Sequence, residues 1–78
     1  MATKAYILIK AKAGKTKDVV AALKAIPGVQ QVHPCFGQPD VFSFITVPDE
    51  QSLSTIVIYQ IHAIDGVEET DTHIVAEA

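Results

Sequence analysis

Two short runs carry most of the chemistry this 78-residue sequence can offer: Gly37-Gln38-Pro39-Asp40 and Thr70-Asp71-Thr72-His73. Asp40 can accept a charge-assisted hydrogen bond from an ammonium group. It can equally fold back onto the amides of its own turn. Gly37 can let a ligand approach the backbone closely, or serve the turn alone. Thr70 and Thr72 stand two apart on an extended segment, so they share a face and present hydroxyls that donate or accept. As β-branched residues they also suit a strand with no further role.

Other reactive side chains are scattered. His33, His62 and His73 are the groups that titrate near neutrality, and they lie on different segments. Asp71 is placed to orient the His73 ring, but general-base catalysis needs a positioned substrate-side partner that the sequence does not supply. Cys35 is the lone cysteine, so no internal disulfide can form, and beside Phe36 it reads as a small buried hydrophobe. One cysteine and three scattered histidines do not make a structural zinc set. There is no P-loop and no dinucleotide fingerprint. The expectation is no catalytic residue, no metal and no cofactor.

Charge narrows the partners. Six lysines and no arginine face nine acids, for a net charge of −3. Phosphate and base recognition lean on arginine. The cluster Lys10, Lys12, Lys15, Lys17 has no interleaved aromatics and reads as a solvated strand end and loop. No direct nucleic-acid binding is expected. No run approaches 18 apolar residues and no signal peptide is visible, so neither a membrane span nor export is expected, and the location reads as cytoplasmic.

The elements that hold these runs follow from an internal repeat. Ala25-Ile26-Pro27-Gly28-Val29 recurs as Ala63-Ile64-Asp65-Gly66-Val67, 38 residues on. The same register sets Ile7 on Ile45, Val19 on Val57 and Leu23 on Ile61. Two strand-helix-strand units predict a single α+β domain over residues 1–78, a ferredoxin-like split βαβ sandwich with βαββαβ order. Strands are expected at 4–12, 29–36, 41–47 and 70–76, helices at 16–26 and 50–64, and strand order 4-1-3-2. Thr16 is the expected cap of the first helix. The first and third strands are apolar on both faces, Tyr6 and Leu8 opposite Ile7 and Ile9, Phe42 and Phe44 opposite Val41 and Ile45. Helices cover one face only, so the other calls for a second copy placed sheet to sheet, as in a dimeric α+β barrel.

Taken together, the Gly37-Gln38-Pro39-Asp40 turn before an apolar strand, and Gly66-Val67 followed by Thr70-Asp71-Thr72-His73-Ile74-Val75, resemble the effector-binding domain of the Lrp/AsnC regulators. The resemblance covers essentially the whole chain. It implies a stand-alone version of that domain, since 78 residues leave no room for the family's helix-turn-helix. It implies a small amino-acid effector, self-association into dimers and rings of eight or so, and full-length regulators of the family as further partners. It also implies a ligand site at Gly37, Gln38, Pro39, Asp40, Thr70 and Thr72, shared between dimers because turn and threonines of one chain are expected to lie too far apart. A small α+β-barrel enzyme and a structural adaptor are the competing readings.

Overall fold

The computed structural model describes residues 2–76. It is a βαββαβ sandwich: β1 (Thr3–Ala11), α1 (Thr16–Lys24), β2 (Val29–Pro34), β3 (Val41–Val47), α2 (Glu50–Ile56), which runs on into a π-helical turn (Val57–Ile61), and β4 (Val67–Ile74). The strands pair antiparallel in the order β2-β3-β1-β4. That is the expected order read from the opposite edge.

Period-two patterning assigns the faces. Ala5, Ile7, Ile9 and Ala11 of β1 and Val41, Ile45 and Val47 of β3 are buried beneath the helices. Val19 and Leu23 of α1, with Ile26 just past its end, close the core on one side, and Leu53 and Ile61 of the second helical segment on the other. Ser43 is the buried polar residue of this layer, and its hydroxyl donates to the Ile7 carbonyl at 2.8 Å. The open face carries Tyr6, Leu8, Phe42 and Phe44, with the Tyr6 and Phe44 rings 4.8 Å apart and tilted by 53°. No helix among the described residues is long and apolar enough to cross a membrane.

The helices end short of expectation, α1 at Lys24 and the second helical segment at Ile61, and four further differences have a physical cause. β4 begins at Val67, because Val67 and Glu69 pair with Ala11 and Lys10 across a bulge. β2 stops at Pro34, which cannot donate to a ladder. The second helix does not stay α-helical. Eight residues at 100° each would leave Ile61 about 80° past the face that buries Leu53. A π turn rotates less per residue and brings Ile61 back, with His62 N–H bonding the Val57 carbonyl at 3.0 Å. Its cost is to turn Ile58 and Tyr59 outward. Finally, Thr16 is the first helical residue rather than the cap, and Lys15 stands at the cap position without a side-chain bond.

α2 is capped in the ordinary way. Asp49 is extended, and its carboxylate accepts from the Ser52 N–H at 2.7 Å. Bonds from the Ser52 backbone and then its side chain hold the Asp49 carboxyl below the usual carboxylate range, against a smaller opposing effect of burial. A carboxyl lowered in the folded state contributes stability above its unfolded value and loses that contribution as pH falls through the folded one. Asp49→Ala is therefore expected to speed amide exchange at Ser52 at neutral pH. The difference from wild type should vanish in acid. Equal exchange at neutral pH would show the cap to be idle.

Candidate functional site

The turn after β2 folds back over the end of the sheet. Cys35 N–H donates to the Asp40 carbonyl at 2.7 Å, and Asp40 N–H donates to the Ile9 carbonyl at 3.1 Å. The second bond extends the β3–β1 ladder one residue past the Ile9–Val41 pair, so the turn enters β3 beside the end of β1. Gln38 and Pro39 thereby reach β4, although β2 and β4 are opposite edges of the sheet.

Asp40 is the brace of this arrangement. One carboxylate oxygen accepts from the Ala11 N–H at 2.9 Å, and the other from the Thr16 hydroxyl at 3.2 Å. The Ala11 amide lies at the β1 bulge, where the ladder with β4 shifts register. Asp40 thus joins the turn, the end of β1 and the start of α1. Both its oxygens are engaged by the protein itself, so its first role is to hold the turn in place.

A depression of about 320 Å³ opens on the sheet's uncovered side, lined by Leu8, Lys10, Gln38, Pro39, Glu69, Thr70 and Asp71. Turn and Thr70 come from one chain here, so the expected gap between them is absent. The reason is that the turn runs into β3, which pairs with β1, so Asp40 stands beside the end of β1, the strand that pairs with β4. Lys10 and Glu69 oppose each other across β1 and β4, as do Leu8 and Asp71. The depression therefore holds one ammonium, two carboxylates, a carboxamide and two apolar walls. Lys10 also reaches Glu68 at 3.5 Å, a half-exposed pair that leaves the amine free to exchange partners.

The two threonines are placed differently. Thr70 and Thr72 lie opposite Ile9 and Ile7, on the helix side of the sheet. The Thr70 hydroxyl is 2.8 Å from Nε2 of His62, beside a second depression of about 420 Å³ lined by His62, Val67, Glu68, Glu69 and Thr70. Thr70 thus stands between the two hollows, and Thr72 is one step further from the turn. Gly37 occupies the outer corner of the turn. Asp71 and His73 are on the open face, paired at 2.9 Å and well exposed. Cys35 is exposed, not buried, because β2 ends one residue before it.

Sequence reasoning missed Lys10, Glu69, Asp71 and Leu8 as site residues. Their signal was present: Lys10 and Glu69 sit at the open-face positions nearest the ends of β1 and β4.

Comparison with known proteins bears on the family and the fold. Residues 4–78 match the family model described as the Lrp/AsnC ligand binding domain. An uncharacterized HTH-type transcriptional regulator of Pyrococcus horikoshii, PH0140, is 34% identical over 70 residues, covering 90% of this chain and 44% of that protein. The chain thus spans less than half the length of this curated relative. Among solved structures, TTHA0845 from Thermus thermophilus superposes with a TM-score of 0.91 at 27% identity, over 100% of this chain and 96% of that one. A transcriptional regulator from Neisseria meningitidis, NMB0573, solved as a complex with L-Met, superposes with a TM-score of 0.87 at 19% identity, over 96% of this chain and 50% of that one. At that identity the last likeness speaks for the fold. With near-complete coverage by the family model and by a relative above 30% identity, the chain belongs to the Lrp/AsnC family, as its ligand-binding domain.

Proposed function

We propose that this chain is a small-molecule sensing and self-associating module whose ligand is an α-amino acid, bound in the depression between the Gln38-Pro39 turn and β4. The carrying observation is that turn and strand meet in one space that holds charges of both signs. A zwitterion needs a cation for its carboxylate and an acid for its ammonium. Lys10 supplies the first, and Asp71 or Glu69 the second. The Gln38 carboxamide adds a donor, and Leu8 and Pro39 form the apolar wall for a side chain. Gly37 and Asp40 shape the turn, with Asp40 acting through its bonds to Ala11 and Thr16. Thr70 closes the floor, and Thr72 supports the same strand segment. The L-Met complex of the Neisseria relative favours an amino acid over other small zwitterions.

The open face of Tyr6, Leu8, Phe42 and Phe44 supports pairing of two copies sheet to sheet, giving the dimeric α+β barrel. The depression borders that face, so a second copy would narrow it and couple binding to assembly. Rings of about eight chains, and co-assembly with full-length relatives, extend the same reading. The matched segment is the ligand-binding domain and not the helix-turn-helix for which the relatives are named.

A thermal-shift screen against the twenty amino acids tests the ligand, since one that binds only the folded state raises apparent stability. Lys10→Gln is expected to weaken binding by roughly 10- to 100-fold, the loss of one charge-assisted bond. Lys17→Gln, on the outer face of α1, should leave it unchanged. Asp40→Ala should lower both affinity and melting temperature, because it frees the turn. No stabilisation by any amino acid at millimolar concentration would remove the ligand reading and favour a structural adaptor.

A further inference from the structure

Asp71 lines the depression but commits one oxygen outside it. Its Oδ2 stands 2.9 Å from Nε2 of His73, two residues on along the same face of β4. Its Oδ1 meets no donor among the described residues. His73 is not part of the lining. It lies one open-face step beyond, opposite Tyr6 as Asp71 lies opposite Leu8. The groups that face its ring come from two strands, because the helices pack on the other side of the sheet. From β4 comes Asp71, with Glu69 behind it. From β1 come Tyr6 directly opposite and Lys4 diagonally, with Lys10 across from Glu69. Carboxylates, ammoniums and the phenol keep their charge between about pH 5.5 and 8, and a free amino acid stays zwitterionic there. Only a histidine changes charge in that range, and the other histidine of the open face, His33, is on the opposite edge strand.

We infer that His73 positions Asp71 for the ammonium of the ligand and sets the pH range in which that carboxylate is free to take it. The inference rests on the amino-acid reading of the depression and adds the regulation of that site. A neutral ring donates Nε2–H to Oδ2. That bond fixes the carboxylate's orientation and leaves its negative charge, and Oδ1, to a second donor. Lys10, Glu69 and Asp71 then give the depression one positive and two negative charges. A protonated ring cancels the charge of Asp71 and sets a cation roughly 6 Å from the ammonium. At that separation a unit charge shifts affinity roughly 3- to 30-fold, from water-like surroundings to those of a protein surface. Affinity therefore rises with pH through the titration of His73. By reciprocity, a ligand that prefers the neutral ring expels its proton on binding.

Calorimetric titration of the full chain at about pH 5.5 and about pH 8 tests this, with each amino acid whose side chain keeps its charge across that range. Wild type should bind roughly 3- to 30-fold more tightly at the higher pH. Between the two, the binding enthalpy should change with the ionisation enthalpy of the buffer, as proton release requires. His73→Gln keeps an N–H for Asp71 and cannot titrate. It should bind at both pH values as wild type does at the higher one. His73→Ala should also lose the pH dependence, yet bind more weakly than His73→Gln, because nothing then orients Asp71. Equal affinity of wild type at both pH values, or pH dependence that survives in His73→Gln, would overturn the inference and leave the amino-acid site standing. So would pH dependence that disappears in His62→Gln, which would assign it to the ring beside Thr70. A change in mass by light scattering that follows the affinity would place the effect in the sheet contact and overturn it as well. Binding of no amino acid at either pH would remove the proposed function itself, and this inference with it.

Discussion

Phe44→Asp is expected to leave the chain monomeric at micromolar concentration, where the wild type scatters light as a dimer or larger. Phe44 is central to the open face, stacked on Tyr6 and flanked by Phe42 and Leu8 in the next row. A sheet-to-sheet contact would enclose the new carboxylate with no cation beside it. An uncompensated buried charge costs about 3–5 kcal/mol, and the two-fold doubles it. The loss in dimer affinity is then roughly four orders of magnitude or more. The monomer itself should fold, because Phe44 points away from the core under the helices. Circular dichroism checks that point. A wild type that scatters as a monomer, or a variant that stays dimeric, would end the sheet-pairing reading.

The second large effect is on stability. Gly28→Ala is expected to cost about 2–4 kcal/mol in urea unfolding, compared at one fixed protein concentration. Gly28 has φ of +95°, a backbone conformation that side chains resist. A Cβ there would also lie 2.9 Å from the Thr46 carbonyl oxygen, which is backbone and cannot step aside. The close approach is held by Thr46 N–H donating to the Gly28 carbonyl at 3.0 Å. Gly14 gives the control. Its φ is +80°, yet no atom lies within 4 Å of the added methyl. Gly14→Ala should cost only the left-handed backbone, about 1–2 kcal/mol. Equal losses at the two positions would show that the approach of α1's exit to β3 is not what Gly28 serves.

The architecture was legible because the repeat doubled every signal. Val19 and Leu23 recur as Val57 and Ile61, and the strand faces followed from strict alternation. The same repeat held the answer to one boundary that patterning missed. Val67 corresponds to Val29, the first residue of β2, so β4 begins there. Glu68 and Glu69 concealed this, since charged residues on an edge strand read as loop. The π turn was invisible because it answers a three-dimensional demand, the alignment of Ile61 with Leu53. The candidate site was half legible. The turn and threonines stand out by residue type, but the Asp40 carboxylate binds neither a ligand nor the amides of its own turn; it braces Ala11 and Thr16, which no local pattern announces. Lys10 joins them only through the β1–β3 pairing that sets Asp40 beside the end of β1, a contact between residues 31 apart in sequence.

The Asp40 carboxylate holds an amide, Ala11 N–H, that lies at the bulge where the β1–β4 ladder shifts register. Moving the turn and releasing that amide are therefore one event. The hydrogen-exchange rate at this single position then measures the opening free energy of the turn, without any ligand or label. The same carboxylate holds the first residue of α1 through Thr16. A ligand that stills the turn would consequently slow exchange at Ala11 and steady the start of α1. One aspartate thus ties a loop, a strand end and a helix start together, so loosening any one of the three loosens the other two.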